Sequence, residues 1–206
     1  MRTRLPLVAV VLVLASCTSE APGTPTTAPA TSTDAPTSTS APTTKPSGDL
    51  PANGAPKVDT SVDPGGFLKK PCLAFTEAQR KELGLADGEQ RRAPLGEECN
   101  WRSNGGGSAH LSFLEGNPHG LSGTYAANKD GRLKYFEPTE VGGQPAVFAS
   151  PDDARTKGAC VLLVGMSDKL VFSMTVQQSP DKVGTGDPCQ VTARVAGMAL
   201  TTIKAG

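Results

Sequence analysis

"KLVFSMTVQ", residues 169–177, decides the fold class, because Leu170, Phe172, Met174 and Val176 alternate with Ser173, Thr175 and Gln177. Strand side chains point to opposite faces with period two, so this spacing makes one apolar and one polar face. Just upstream, "LLVGMSDKLVF" (162–172) joins it as a hairpin to a preceding strand, "ACVLLVG" (159–165). "SAHLSFLE" (108–115) repeats the alternation, with Ala109, Leu111 and Phe113 against His110 and Ser112. "ECNWRS" (98–103) reads as another strand, and "TEVGGQPAVFA" (139–149) as two short ones around a Gly142-Gly143 turn.

Helical signals flank this set. In "PCLAFTEAQRKELG" (71–84) Thr76 is placed to cap, Gln79 follows three residues on as in a capping box, and Gly84 closes. In "DPCQVTARVAGMALTTI" (187–203) Asp187 caps, Pro188 occupies the first turn, and Val191, Val195, Met198, Ala199 and Thr202 form one stripe. Ala193, Ala196 and Gly197 let that helix lie close on a sheet. "GLSGTYAANKD" (120–130) reads as a short helix. The fold class is therefore α+β: an antiparallel β-sheet with N- and C-terminal helices packed on one face. Trp101, the single tryptophan, is expected to plug the core beside Cys99.

Four cysteines fall inside this region: Cys72, Cys99, Cys160 and Cys189. No C-x-x-C pair exists and the only histidines are His110 and His119, so disulfides are favoured over a metal site. Cys72 and Cys189 sit at or before helix starts, while Cys99 and Cys160 sit in strands about 28 residues away. The local setting favours Cys72–Cys99 and Cys160–Cys189, each stapling a helix entrance to the sheet. Helix-to-helix with strand-to-strand pairing remains the alternative.

The amino terminus has another character. Arg2 and Arg4 precede an apolar run from Leu5 to Ala15. Eleven residues make roughly 16 Å of helix, about half of a bilayer core, so the run reads as an export signal rather than a span. Its end, Leu14-Ala15-Ser16-Cys17, resembles the lipobox of bacterial lipoproteins. That resemblance implies a diacylglyceryl group on the Cys17 thiol and cleavage before it; the alternative is a secretory signal with an ordinary thiol. Thr, Pro, Ala, Ser and Gly then dominate to about Gly66, a composition that cannot bury enough surface to offset its ordering entropy. Such a tether is either a plain linker or an O-glycosylated stalk. The expected organisation is residues 1–16 as lipoprotein signal peptide, 17–66 as a lipid-anchored disordered tether, and 67–206 as a disulfide-stapled globular domain.

Full-chain charge is balanced at 20 basic and 20 acidic residues, and losing Arg2 and Arg4 leaves 18 against 20. That near-neutrality offers no electrostatic footprint for nucleic acid.

In order along the chain, Pro71-Cys72, Cys99-x-Trp101, Gly142-Gly143-x-Pro145-Ala146-Val147, Cys160 and Asp187-Pro188-Cys189 form a set. The set resembles a family of lipobox-anchored actinobacterial lipoproteins that is itself a domain of unknown function. The resemblance implies an envelope protein on the extracytoplasmic face of the cell membrane, and carries over no catalytic residue.

Motifs for chemistry are sparse. "HGLSGT" around Ser122 misses the nucleophile-elbow pattern, since Thr124 stands where the second glycine belongs. "SNGGGS" (103–108) lacks the following lysine and helix of a phosphate loop. His110 and His119 have Asp152 and Asp153 as candidate partners, against a plain reading as a strand and a loop histidine. Two function classes follow. One is a non-catalytic binding or interaction module for an envelope protein or apolar ligand; the other is a hydrolase acting on a cell-wall or lipid substrate. The expected state is a monomer, held to the membrane through lipid on Cys17, with no cofactor, metal or catalytic residue.

Overall fold

The computed structural model describes residues 49–206. The expected signal segment, Cys17 and the tether as far as residue 48 lie outside the described residues.

Seven strands form one antiparallel sheet: β1 (Glu89–Ala93), β2 (Gly96–Arg102), β3 (Ser108–Phe113), β4 (Tyr135–Val141), β5 (Gln144–Ser150), β6 (Ala159–Ser167) and β7 (Leu170–Gln177). Their spatial order, β1-β2-β3-β7-β6-β5-β4, makes two meanders joined where β3 pairs with β7. Three helices accompany them: α1 (Glu77–Leu83), α2 (Gly120–Lys129) and α3 (Pro188–Ala205). In the β4–β5 turn, Gly142 and Gly143 have φ of 56° and 77°. Two successive positive φ angles are what a two-residue hairpin turn demands. Gly142 serves packing too, because a Cβ there would lie 3.0 Å from Leu200 Cδ2 of α3.

One sheet face carries the main core. Trp101, Leu111, Phe113, Leu162, Val164, Phe172 and Met174 pack there with Val195, Ala196, Ala199, Leu200 and Ile203 of α3. Trp101 is wholly buried, edge-on to Phe75 with ring centroids 4.7 Å apart. Helix α1 opens with the expected box: Gln79 N donates to Thr76 Oγ1 at 3.2 Å, and Thr76 N to Gln79 Oε1 at 2.8 Å. Gln79 also ties α1 to α3, donating from Nε2 to the Met198 carbonyl and accepting from the Thr202 hydroxyl. The inward side of α3 is Thr192, Val195, Ala196, Ala199, Leu200 and Ile203, turned from the expected stripe so that Val191 stays 38 % exposed. Disulfides join Cys72 to Cys99 and Cys160 to Cys189, each with Cα atoms 5.1 Å apart.

The opposite face is covered in part by α2, where Leu121 meets Val147, Ala149 and Val171. Residues 50–66, read from sequence as tether, are the main departure from expectation. They form a strap along the sheet. Ala52 N donates to Ser122 Oγ at 2.8 Å, Val58 N to Asp168 Oδ1 at 2.9 Å, and Val62 N to the Met166 carbonyl at 2.8 Å. Val58 is 6 % exposed and lies over Gly165, where a Cβ would approach Val58 Cγ2 to 2.9 Å. The domain therefore begins well before Phe67. Strand β1 was not expected either: Glu89-Gln90-Arg91-Arg92 has no apolar alternation, because it is a solvent-facing edge whose charges suit an unpaired border.

Candidate functional site

At one end of the sheet a cleft of about 370 Å³ opens between the last turn of α1, the β2–β3 turn, the end of β7 and the first two turns of α3. Small-molecule sites typically occupy about 300–1,000 Å³, so this is at the low end of that range. Leu83, Leu85, Ala109, Val176, Val191 and Val195 supply the apolar lining. Lys182 is the one charged side chain lining it among the described residues.

Local chemistry explains each wall. Gly84 adopts φ 63° to end α1, which sends Leu85 back to bridge with Ser103. The β2–β3 turn closes on itself, with Gly107 N donating to Ser103 Oγ at 3.0 Å and Ser103 N to the Gly107 carbonyl at 2.9 Å. A Cβ on Gly107 would lie 3.0 Å from both Gln177 O and Ser179 N, so glycine lets that turn approach the end of β7. The α3 wall is held three ways. Cys189 in its first turn is bonded to Cys160, Asp187 accepts from Cys189 N at 2.8 Å, and the Thr192 hydroxyl donates to the Pro188 carbonyl at 2.9 Å. Cys160 is the register partner of Val176, so the disulfide sets the distance between the α3 wall and the floor.

The residues singled out from sequence do not converge here. His110 Nε2 lies 3.0 Å from Glu98 Oε2, on the sheet face opposite the cleft and away from Asp152 and Asp153. Asn100, its register partner, has a buried Oδ1 with no hydrogen-bond partner among the described residues. His119 is an exposed loop residue whose N–H donates to Asn117 Oδ1. Ser122 is buried, its hydroxyl accepting from the strap. Asp152 faces Lys134 at 3.5 Å.

Asp153 belongs to a separate rim cluster. Arg155 forks onto it at 2.8 and 2.7 Å and stacks 3.7 Å from the Tyr135 ring centre. The hydrogen bonds from Arg155 hold the Asp153 carboxyl down at about 2. Burial, then the hydrogen bond to Glu137, pushes the Tyr135 phenol up to about 12. This closed network pins the loop before β6 to β4. The cleft itself left only scattered residues from five segments in the sequence, with no spacing that marks them as neighbours.

No curated protein and no solved structure matches the chain. A family model described as "Protein of unknown function (DUF3558)" matches residues 12–202, which is most of the chain, and the chain belongs to that family.

Proposed function

We propose that this protein is a membrane-anchored cell-envelope lipoprotein whose domain is a non-catalytic binding module, taking an apolar ligand or a partner's apolar group in the end cleft. The cleft carries the reading: apolar side chains from four helix and strand ends are held apart around open space instead of closing on one another. Two disulfides suit an oxidising compartment outside the cytoplasm. The Leu14-Ala15-Ser16-Cys17 stretch would supply the anchor, and the Thr/Pro-rich composition of residues 18–48 would give a reach of roughly 30 Å.

Native mass spectrometry of the domain recovered from its own envelope tests the binding role, with a co-purified apolar molecule as the expected result. Cys17→Ala tests the anchor: it should release the chain or leave its precursor uncut. A variant that stays in the membrane fraction at the mature mass defeats that part.

A hydrolase is the second reading. His110 with Glu98 is a base–carboxylate pair, and Ser112 shares their strand face. Ester hydrolysis that disappears in both His110→Ala and Ser112→Ala would replace the binding module with this reading.

A further inference from the structure

We propose that the cleft takes a single medium alkyl chain ending in a carboxylate, with Lys182 meeting the acidic head. This rests on the binding reading above and adds the ligand's chemistry. Size sets the first limit: at about 30 Å³ per water-sized group, 370 Å³ holds about a dozen non-hydrogen atoms. That matches one medium chain. Lining sets the second limit. Leu83, Leu85, Val176, Val191 and Val195 give the cleft a mostly apolar surface, which suits an alkyl chain better than a sugar, with serine, threonine and glutamine side chains lying among them.

Charge sets the third. Lys182 is the one lining residue with a charge, and among the described residues its ion-pair partner is Asp181 at 3.5 Å, with both side chains about two-thirds exposed. Such a pair is weak and readily exchanged for a ligand carboxylate at the cleft mouth. Thr185 closes the loop that carries Lys182, its hydroxyl donating to the Lys182 carbonyl at 2.8 Å, so the ammonium springs from an ordered turn.

The test uses the full chain carrying Cys17→Ala, so that no detergent competes, with decanoate and decanol as probes. Calorimetry and methyl NMR are expected to show decanoate binding, with shifts gathered on Leu85, Val176, Val191 and Val195. Lys182→Gln should weaken decanoate by about threefold, the size of an exposed ion pair, and leave decanol unchanged. Equal binding of both probes, insensitive to Lys182→Gln, overturns the carboxylate inference and leaves the apolar cleft standing. If neither probe moves those methyls, the inference and the binding reading in this cleft both fall.

Discussion

On one face of the sheet α3 lays eight buried residues over the strands and two disulfides pin the helix entrances; on the other, α2 and an extended strap cover a smaller apolar group. The first face is closed by side-chain volume. The second is closed in good part by backbone groups finding polar partners: Val58 N on Asp168 and Ala52 N on Ser122. Burial scales with area, while a hydrogen bond made in place of one to water is worth about 0.5–1.5 kcal/mol net. The α3 face should therefore hold the global stability, and the strap should open before it.

The largest effect expected from this contrast is loss of the Cys160–Cys189 bond. It closes a separation of 29 residues, which by loop entropy is worth about 3.5 kcal/mol. Replacing both cysteines by alanine should lower unfolding stability by about that amount, a large share of the 5–15 kcal/mol typical of domains. Because the bond also sets the α3 wall, the cleft methyls should broaden in NMR before the domain unfolds. Undiminished stability with sharp methyl signals would show that packing of α3 alone positions the wall.

A middling effect is expected on the strap. Val58→Ala should cost about 1–2 kcal/mol, since it removes buried methyl groups from a site the neighbours can partly refill. Gly165→Ala should also destabilise, because its new Cβ would sit 2.9 Å from Val58 Cγ2. The two together should cost less than their sum, since Val58→Ala vacates the space the new methyl needs. Additive costs in chemical denaturation would mean the strap does not lie over Gly165 in solution. Amide exchange should place the protection of Val58 below that of Leu111, and equal protection would erase the distinction between the faces.

The same contrast explains what was legible beforehand. Phe172, Met174, Leu111 and Phe113 follow period two because one face of their strands meets a continuous core, so strands, helix starts and the cysteine environments could be read. Val58 and Val62 stand alone among Asp, Thr, Ser and Pro. Their attachment depends on backbone amides reaching Asp168 and Met166 more than a hundred residues later, which no local pattern records. The cleft was illegible for a related reason. Leu85, Ser103, Val176 and Val191 become neighbours only after β3 pairs with β7, and each alone looks like ordinary core or loop.

Removing the hydroxyl that anchors the strap should have a smaller effect. Ser122→Ala leaves the Ala52 amide without its 2.8 Å acceptor, at a cost of about 1 kcal/mol. Exchange at Ala52 should quicken while α3 amides keep their rates. An equal loss of protection in α3 would mean that the two faces unfold as one unit.

The smallest effect belongs to the rim, where neither face is at stake. Asp153 is held at about 2 by hydrogen bonds from Arg155, below its ordinary value near 4. A carboxyl whose folded pKa is depressed adds stability that is present above the unfolded value and is lost as pH falls through the folded one. The window is therefore about pH 4 down to 2, with stability falling toward acid. Asp153 lies at the surface, so solvent screening keeps the gain small, and the titration itself is the better readout. The Asp153 carboxyl followed by NMR should show its midpoint near 2, and Arg155→Ala should return it toward 4. A midpoint near 4 in the unaltered protein would mean that the fork of Arg155 is not held in solution. The loop before β6 would then be free of β4, and the ordered rim would shrink to the two covered faces.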